Sequence, residues 1–267
     1  MPKILFIGDI VGKAGRKVLL EVLPKWKEKH KPDVIIVNVE NLAHGKGVTP
    51  STMAEVDELG ADVYTSGNHI FKKNDLSTQC FEKYPNLIRP ANFEGDLPGK
   101  GFYRFEKGGR HYLIANFNGK VFFEQQYQGE ISNPFFAADK FLEANAQKGD
   151  IILIDFHSEA TSEKVAFAWH MDGRITAVLG THTHVPTADA RILPQGTAYI
   201  SDVGMTGARD SVIGVKKENA LTMFLEQGGF RNEPENEGVL MVNGVLIEVS
   251  NHGKAEKIER AYKEISN

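Results

Sequence analysis

Cysteine is almost absent from this 267-residue chain: Cys80 stands alone, so no intrachain disulfide can form and nothing calls for an oxidising compartment. Long apolar runs are missing as well. No stretch approaches the roughly 18 residues of a membrane-spanning helix, and the first run, residues 4–7, meets Asp9 too soon to be the core of a secretion signal. The expectation is a cytoplasmic protein with no membrane partner. Charge of one sign is lacking too. With 31 Lys and Arg against 35 Asp and Glu, the formal charge of −4 exerts no general pull on nucleic acid or anionic lipid. An anionic substrate would therefore need a local positive centre, which a metal cluster can supply. Phosphate-binding glycine loops are also missing. Gly8 to Gly15 fits neither the dinucleotide fingerprint nor the Walker pattern, because Ala14 follows Lys13 and the glycines are wrongly spaced.

What is present reads as one α/β domain, residues 1–267, without repeats, low-complexity tracts or an interdomain linker. Residues 4–7 form an apolar run ending in Gly8-Asp9, as in a strand buried on both faces. Val18, Leu19, Val22, Leu23 and Trp26 recur at helical spacing, with Pro24 expected to kink or shorten that helix. A second strand over 33–39 ends in Glu40-Asn41. Thr49-Pro50 then reads as an N-cap and first helical position, opening a helix that runs to about Gly60. A third strand over 62–65 leads to Gly67-Asn68-His69, completing a βαβαβ order that favours a mostly parallel sheet. Residues 102–106 and 111–116 flank Lys107-Gly108-Gly109-Arg110 as a hairpin. A helix is predicted over 134–146, then strands over 151–156, ending in His157, and 177–179, leading to His182 and His184. Near the C-terminus, runs at 239–242 and 245–249 surround Asn243-Gly244, which predicts a second hairpin.

Five polar clusters thus follow strand-like runs: Asp9, Glu40-Asn41, Asn68-His69, His157, and His182 with His184. Ligands of open α/β sheets bind outside the carboxyl ends of the strands, where such clusters converge. The donors are carboxylate, amide and imidazole without thiolate, a set suited to Mn, Fe, Zn or a similar divalent ion. Taken singly, each residue has a plainer reading. Asp9 could cap a helix and Asn68 could form a turn. Isolated histidines are more often structural, the reading adopted for His30, His111, His170 and His252. His44, in the loop His44-Gly45-Lys46-Gly47, could face substrate but is read as outside the site, and Asp202 is read as a turn residue. Five clusters in one chain are harder to dismiss than any one of them.

These motifs resemble the calcineurin-like metallophosphoesterases, whose pattern runs Asp-x-His, Gly-Asp-x-x-Asp, Gly-Asn-His-Asp/Glu, a later His, and Gly-His-x-His. Four positions depart from it: Val11 replaces the first histidine, Glu40 the bridging aspartate, Ile70 the acidic residue after His69, and Thr181 the glycine before His182. The departures themselves are similar to the YmdB-type branch, above all over residues 36–47 and 180–186, and the likeness spans essentially the whole chain. That resemblance implies a four-layer α/β/β/α sandwich of mixed sheets. It also implies a phosphodiesterase acting on cyclic nucleotides, notably 2′,3′-cyclic nucleoside monophosphates, with cyclic-phosphate RNA ends as a conceivable substrate and a homo-oligomeric state.

The resemblance further implies two divalent metal ions, Fe or Mn foremost, with Zn and Mg as alternatives. One ion would be held by Asp9, Glu40, Asn41 and His184, the other by Glu40, Asn68, His157 and His182, with Glu40 bridging. Such ions lower the pKa of a bridging water and clamp the phosphoryl oxygens during in-line attack. His69 is the candidate general acid for the leaving alkoxide; its plainer role is to orient metal ligands. Three other readings compete: a phosphomonoesterase or protein phosphatase on the same metals, a nucleotide-sensing regulator with little turnover, and a nucleic-acid-binding protein. The balanced charge and the lack of a basic aromatic stripe count against the last.

Overall fold

The structure is a computed structural model and describes residues 1–123, 126–226 and 233–266. Strands β1 (Lys3–Ile7), β2 (Val34–Asn38) and β3 (Val63–Thr65) alternate with helices α1 (Gly12–His30), α2 (Pro50–Asp57) and α3 (Asp75–Lys83). The middle of the chain supplies β4 (Phe102–Lys107), β5 (Arg110–Asn118), α4 (Pro134–Asn145), β6 (Ile151–His157), α5 (Thr161–Met171) and β7 (Ala177–Thr181). It closes with β8 (Arg191–Ile192), β9 (Ala198–Ile200), β10 (Gly207–Ala208), α6 (Lys217–Glu226), β11 (Leu240–Val249) and β12 (Ala255–Ile265).

Two six-stranded mixed sheets result, one in the order β10-β11-β1-β2-β3 with β12 also on β11, the other in the order β4-β5-β6-β7-β9-β8. The βαβαβ segment gives parallel pairs, β1 with β2 and β2 with β3, while β11 joins β1 antiparallel. In the second sheet β5, β6, β7 and β9 run parallel, and the hairpin partner β4 and the short β8 are antiparallel.

Strand periodicity sorts the core into three apolar layers between four structural ones. Ile4, Phe6, Val34 and Ile36 face Ile114, Leu153 and Leu179 between the sheets. Their neighbours Leu5, Ile7, Ile35 and Val37 face Val18, Leu19 and Trp26 of α1 and Met53 of α2. On the far side Leu113, Ile152, Ile154 and Val178 face Phe141 of α4 and Phe167 of α5. Each such fully buried side chain contributes about 1.5–3 kcal/mol of burial. The arrangement is the α/β/β/α sandwich expected from the resemblance. Among the described residues, no helix is long and apolar enough to cross a membrane.

Two local expectations are corrected. Pro24 does not shorten α1, which runs 19 residues from Gly12 to His30. One proline removes a single backbone donor, while Val18, Leu19, Val22, Leu23 and Trp26 stay buried on either side of it. The helix ends instead at Lys31, in the left-handed region at φ 48°, just before Pro32. The second correction concerns Asn243-Gly244, which forms no turn. Both residues lie inside β11, opposite Tyr262 and Ala261 of β12, and the chain reverses at 250–254. Gly244 is there for room: a Cβ would stand 2.7 Å from Phe6 O and 3.4 Å from the Trp26 ring. Asn243 donates from Nδ2 to Met205 O at 2.7 Å.

Candidate metal centre

Between the sheets the apolar pattern breaks at the carboxyl ends of the strands. On that face Ile36 is followed two residues on by Asn38 and then Glu40, Val63 by Thr65, Leu153 by Asp155 and then His157, and Leu179 by Thr181. All these polar residues are fully buried. Asp155 ties them into a floor. It accepts hydrogen bonds from Asn38 Nδ2 at 2.8 Å, Thr65 Oγ1 at 2.5 Å and Thr181 Oγ1 at 2.7 Å, joining β2 and β3 of one sheet to β6 and β7 of the other. A buried carboxylate is costly unless its oxygens are satisfied, and these three donors satisfy it.

Above this floor the expected residues meet. His157 Nε2 is 3.0 Å from Glu40 Oε1, 3.1 Å from Asn68 Oδ1 and 3.0 Å from His182 Nδ1. His69 donates its backbone N–H to Glu40 Oε2 at 3.2 Å and sets Nδ1 3.3 Å from Glu40 Oε1. Asp9 Oδ2 accepts His182 N at 3.2 Å, while Asp9 Oδ1 is buried with no hydrogen-bond partner among the described residues. The Asn41 carboxamide reaches His184 Nε2 at 2.8 Å and His69 Nδ1 at 3.0 Å. His184 Nδ1 donates to Ile213 O at 2.8 Å, so its Nε2 lone pair faces Asn41. Gly67 makes the approach of these groups possible, since a Cβ there would stand 2.1 Å from Glu40 Oε2 and 2.4 Å from the His157 ring.

The loop carrying His182 and His184 is held in a costly shape. Both residues have positive φ, 98° and 67°, a region L side chains enter only under tertiary constraint. Asp202 supplies the constraint. Its carboxylate accepts Thr183 N at 2.9 Å, Thr183 Oγ1 at 2.8 Å and Gly204 N at 2.8 Å. Lys164 of α5, buried with it, donates to Asp202 Oδ2 at 2.9 Å and to Thr181 O at 2.8 Å. Asp202 thus does more than form a turn: it fastens the histidine loop. Glu159 accepts from His182 Nε2 at 2.8 Å, so the other ring nitrogen, Nδ1, is the one that faces the cluster.

The electrostatics ask for a cation at this point. Burial alone would pull the His157 imidazole down, but the Glu40, Asp9 and Asp155 carboxylates outweigh it and push the ring up to about 9. Burial would likewise raise Glu40, yet His157 and His69 beside it hold it well below the usual carboxylate range. Asp9 is raised by burial, against the pull of His184 and His157. His182 is lowered by burial to about 4, so it offers a neutral ring. Glu40, His157 and His182 bring ligand atoms within 4.8 Å of one another. Two ligands at about 2.1 Å from one ion, set at right angles, lie about 3.0 Å apart, the spacing found around His157 Nε2. The residues present fit a divalent metal centre.

A cavity of about 290 Å³ opens over these groups, walled by Glu40, Asn41, His69, Glu159, His182 and His184. Val11, Ile213, Val215 and Pro234 give it an apolar side. Its size is that of a small-molecule site. All eight residues named from the sequence, Asp9, Glu40, Asn41, Asn68, His69, His157, His182 and His184, converge here. His44 does not: it is exposed in its loop, and Gly45 rather than His44 lines the cavity. His30, His111, His170 and His252 lie outside the cluster; His30 packs edge-on against Trp26 and His170 pairs with Asp139 at 2.9 Å. Sequence reasoning missed Asp155, Thr65, Asn38, Glu159 and Lys164. For Asn38 and Asp155 a signal was there: each is a polar residue at core parity in an apolar strand, two before a ligand candidate.

The family model of the YmdB-like proteins matches residues 5–261. A 2′,3′-cyclic-nucleotide 2′-phosphodiesterase of Bacillus subtilis strain 168 is 44% identical over 259 residues, covering 97% of this chain and 96% of that protein. Among solved structures, a novel phosphatase from Mycoplasma pneumoniae superposes with a TM-score of 0.92 at 33% identity, over 100% of this chain and 94% of that one. A hypothetical protein from Thermus thermophilus gives 0.90 at 37% identity, over 98% and 99%.

Proposed function

Because the chain belongs to the YmdB-like protein family, we propose that it is a metal-dependent phosphodiesterase that opens the cyclic diester of 2′,3′-cyclic nucleotides. The observation that carries this reading is the meeting of Glu40, Asn68 and His182 at His157 Nε2, beside an Asp9 Oδ1 that has no hydrogen-bond partner among the described residues and under a cavity of about 290 Å³. The substrate class is that of the Bacillus subtilis relative. An RNA end bearing a 2′,3′-cyclic phosphate carries the same diester and belongs to the same class. One domain working in the cytoplasm, as a homo-oligomer, completes the proposal.

In this reading Asp9, Glu40, Asn41 and His184 hold one ion and Glu40, Asn68, His157 and His182 hold the other, with Fe or Mn foremost. Bound there, two divalent ions supply the positive charge that neutralises phosphoryl oxygens and lowers the pKa of the attacking water. Glu40 would serve both ions; its Oε1 lies 3.0 Å from His157 Nε2 and its Oε2 accepts the His69 amide N–H. His69 lines the cavity with its ring about one-fifth exposed, while Nδ1 is held by Asn41 and Glu40. That leaves Nε2 to deliver a proton to the departing ribose oxygen, with the Glu40 carboxylate stabilising the charged ring. The Glu159 bond orients His182, and Val11, Ile213, Val215 and Pro234 exclude water from one side of the substrate.

The test is product analysis. Metal-loaded protein is given 2′,3′-cyclic AMP and, separately, adenosine 3′-monophosphate. Opening of the 2′ bond gives the 3′-monophosphate, which then accumulates. Release of the 2′-monophosphate would mean the 3′ bond is the one opened, and hydrolysis of the monoester alone overturns the assignment.

A further inference from the structure

Thr181 stands where the wider metallophosphoesterase pattern has glycine, and the reaction above makes no use of its side chain. The close approach of the backbone falls at Gly180, where a Cβ would stand 1.8 Å from Ser201 O. Position 181 carries a side chain, and its hydroxyl meets His157 and Asp155 behind the cluster.

The register explains how. β6 and β7 pair in parallel with His157 opposite Thr181, and Asp155, two residues before His157, shares its face of β6. Thr181 Oγ1 lies 2.9 Å from His157 Nδ1 and 2.7 Å from Asp155 Oδ1. A hydroxyl has one proton to give. Asp155 already faces the Asn38 amide and the Thr65 hydroxyl, and a carboxylate among donors acts only as an acceptor. The Thr181 proton therefore goes to Asp155, and its oxygen must accept a proton from His157 Nδ1. With Nδ1 protonated, a neutral His157 carries its lone pair on Nε2, the atom facing Glu40, Asn68 and His182. We propose that Thr181 is a positioning residue that, together with Asp155, fixes His157 in the tautomer whose Nε2 lone pair enters the metal cluster. The proposal rests on His157 being a metal ligand.

The experiment uses Thr181→Val, Thr181→Ser and Asp155→Asn in the full chain, with Zn(II) as probe. Zn affinity is measured by chelator competition, and the histidine nitrogens of the Zn-loaded protein are read by ¹⁵N NMR. In the wild type, His157 shows a proton on Nδ1 and metal at Nε2. Thr181→Val keeps the shape but not the hydroxyl, and is expected to weaken Zn binding by about 10–100-fold, the usual effect of losing a hydrogen-bond partner behind a metal-bound histidine. Thr181→Ser restores it. Asp155→Asn places an amide donor beside the hydroxyl and turns its proton toward Nδ1, which weakens Zn as well. Because the two residues act in series, the double variant loses less than the sum of the single losses. Wild-type affinity and an unchanged His157 signal in Thr181→Val overturn the inference, and so do strictly additive losses. If Asp155→Asn fails to fold, the valine and serine variants decide alone. A wild type in which His157 is not metal-bound refutes instead the ligand set on which the inference rests.

Discussion

Replacing Lys164 by methionine tests whether the histidine loop is held from behind. Lys164 and Asp202 are both buried to within 2% of full burial and lie 2.9 Å apart. Methionine keeps the aliphatic stem but removes the charge and the donors to Asp202 Oδ2 and Thr181 O. Leaving one charge of a buried pair unmatched costs about 3–5 kcal/mol. Three donors remain on Asp202, from Thr183 N, Thr183 Oγ1 and Gly204 N, so the low end of about 3 kcal/mol applies. In a chain of this size each kcal/mol moves Tm by about 2–4 °C, giving an expected fall of about 6–12 °C. The assay is thermal unfolding of chelator-treated protein, paired with Zn affinity. Affinity should fall too, because the positive-φ shapes of His182 and His184 lose part of their constraint. Adding Asp202→Asn to Lys164→Met removes the stranded charge and should recover part of the stability. A Tm within about 2 °C of wild type would refute the reasoning, since a solvated or mobile pair gives that result and a buried one does not.

Three further outcomes are expected. Glu40→Gln abolishes turnover and lowers the content of both ions, because a neutral amide cannot give an anionic oxygen to each; normal metal content in that variant excludes the bridging role. His69→Ala keeps the metals but slows a diester with an alkoxide leaving group by about 10²–10⁴, and a nitrophenyl ester much less; equal losses on both would show that His69 only orients ligands. Gly67→Ala forces a Cβ to within 2.1 Å of Glu40 Oε2 and 2.4 Å of His157; overpacking of about 1–3 kcal/mol together with loss of metal binding is expected, and unchanged metal content would show that the cluster can yield.

The layered fold was legible because its signal is local. The run at 4–7 alternates between two cores and reads as continuously apolar, so its burial on both faces follows from its own residues. Asn243-Gly244 misled for the same reason. The dipeptide has the residues of a tight turn, and only distant groups, the Trp26 ring and Phe6 O, explain why a strand needs glycine there. Strand β12 supplies the pairing, and its inner positions are few among charged neighbours: of Ala255–Ile265, Ala255 and Ala261 are buried. A solvated strand of that kind gives no apolar alternation to read.

At the candidate site, legibility follows the distinction between the residues proposed to touch a metal centre and those that hold them. The first kind ends strands and is chosen for donor chemistry, so Asp9, Glu40, Asn68, His157, His182 and His184 stand out by type and place. The second kind is chosen for a partner far away in sequence. Asp155 meets Asn38 across 117 positions and Thr65 across 90, and no local pattern announces either pair. Lys164 looks like an ordinary solvated residue on an amphipathic helix until Asp202 is placed beside it. Yet the parity of buried strands gives part of this away. A side chain on the inner face of a sandwich must be apolar or fully bonded, so a polar residue there implies partners even before they are known. On β6 that logic reaches Asp155 from His157 by counting back two residues, and on β2 it reaches Asn38 from Glu40 in the same way. What it cannot reach is the direction of the proton in Thr181, because that depends on donors from β2, β3 and β7 meeting at one carboxylate.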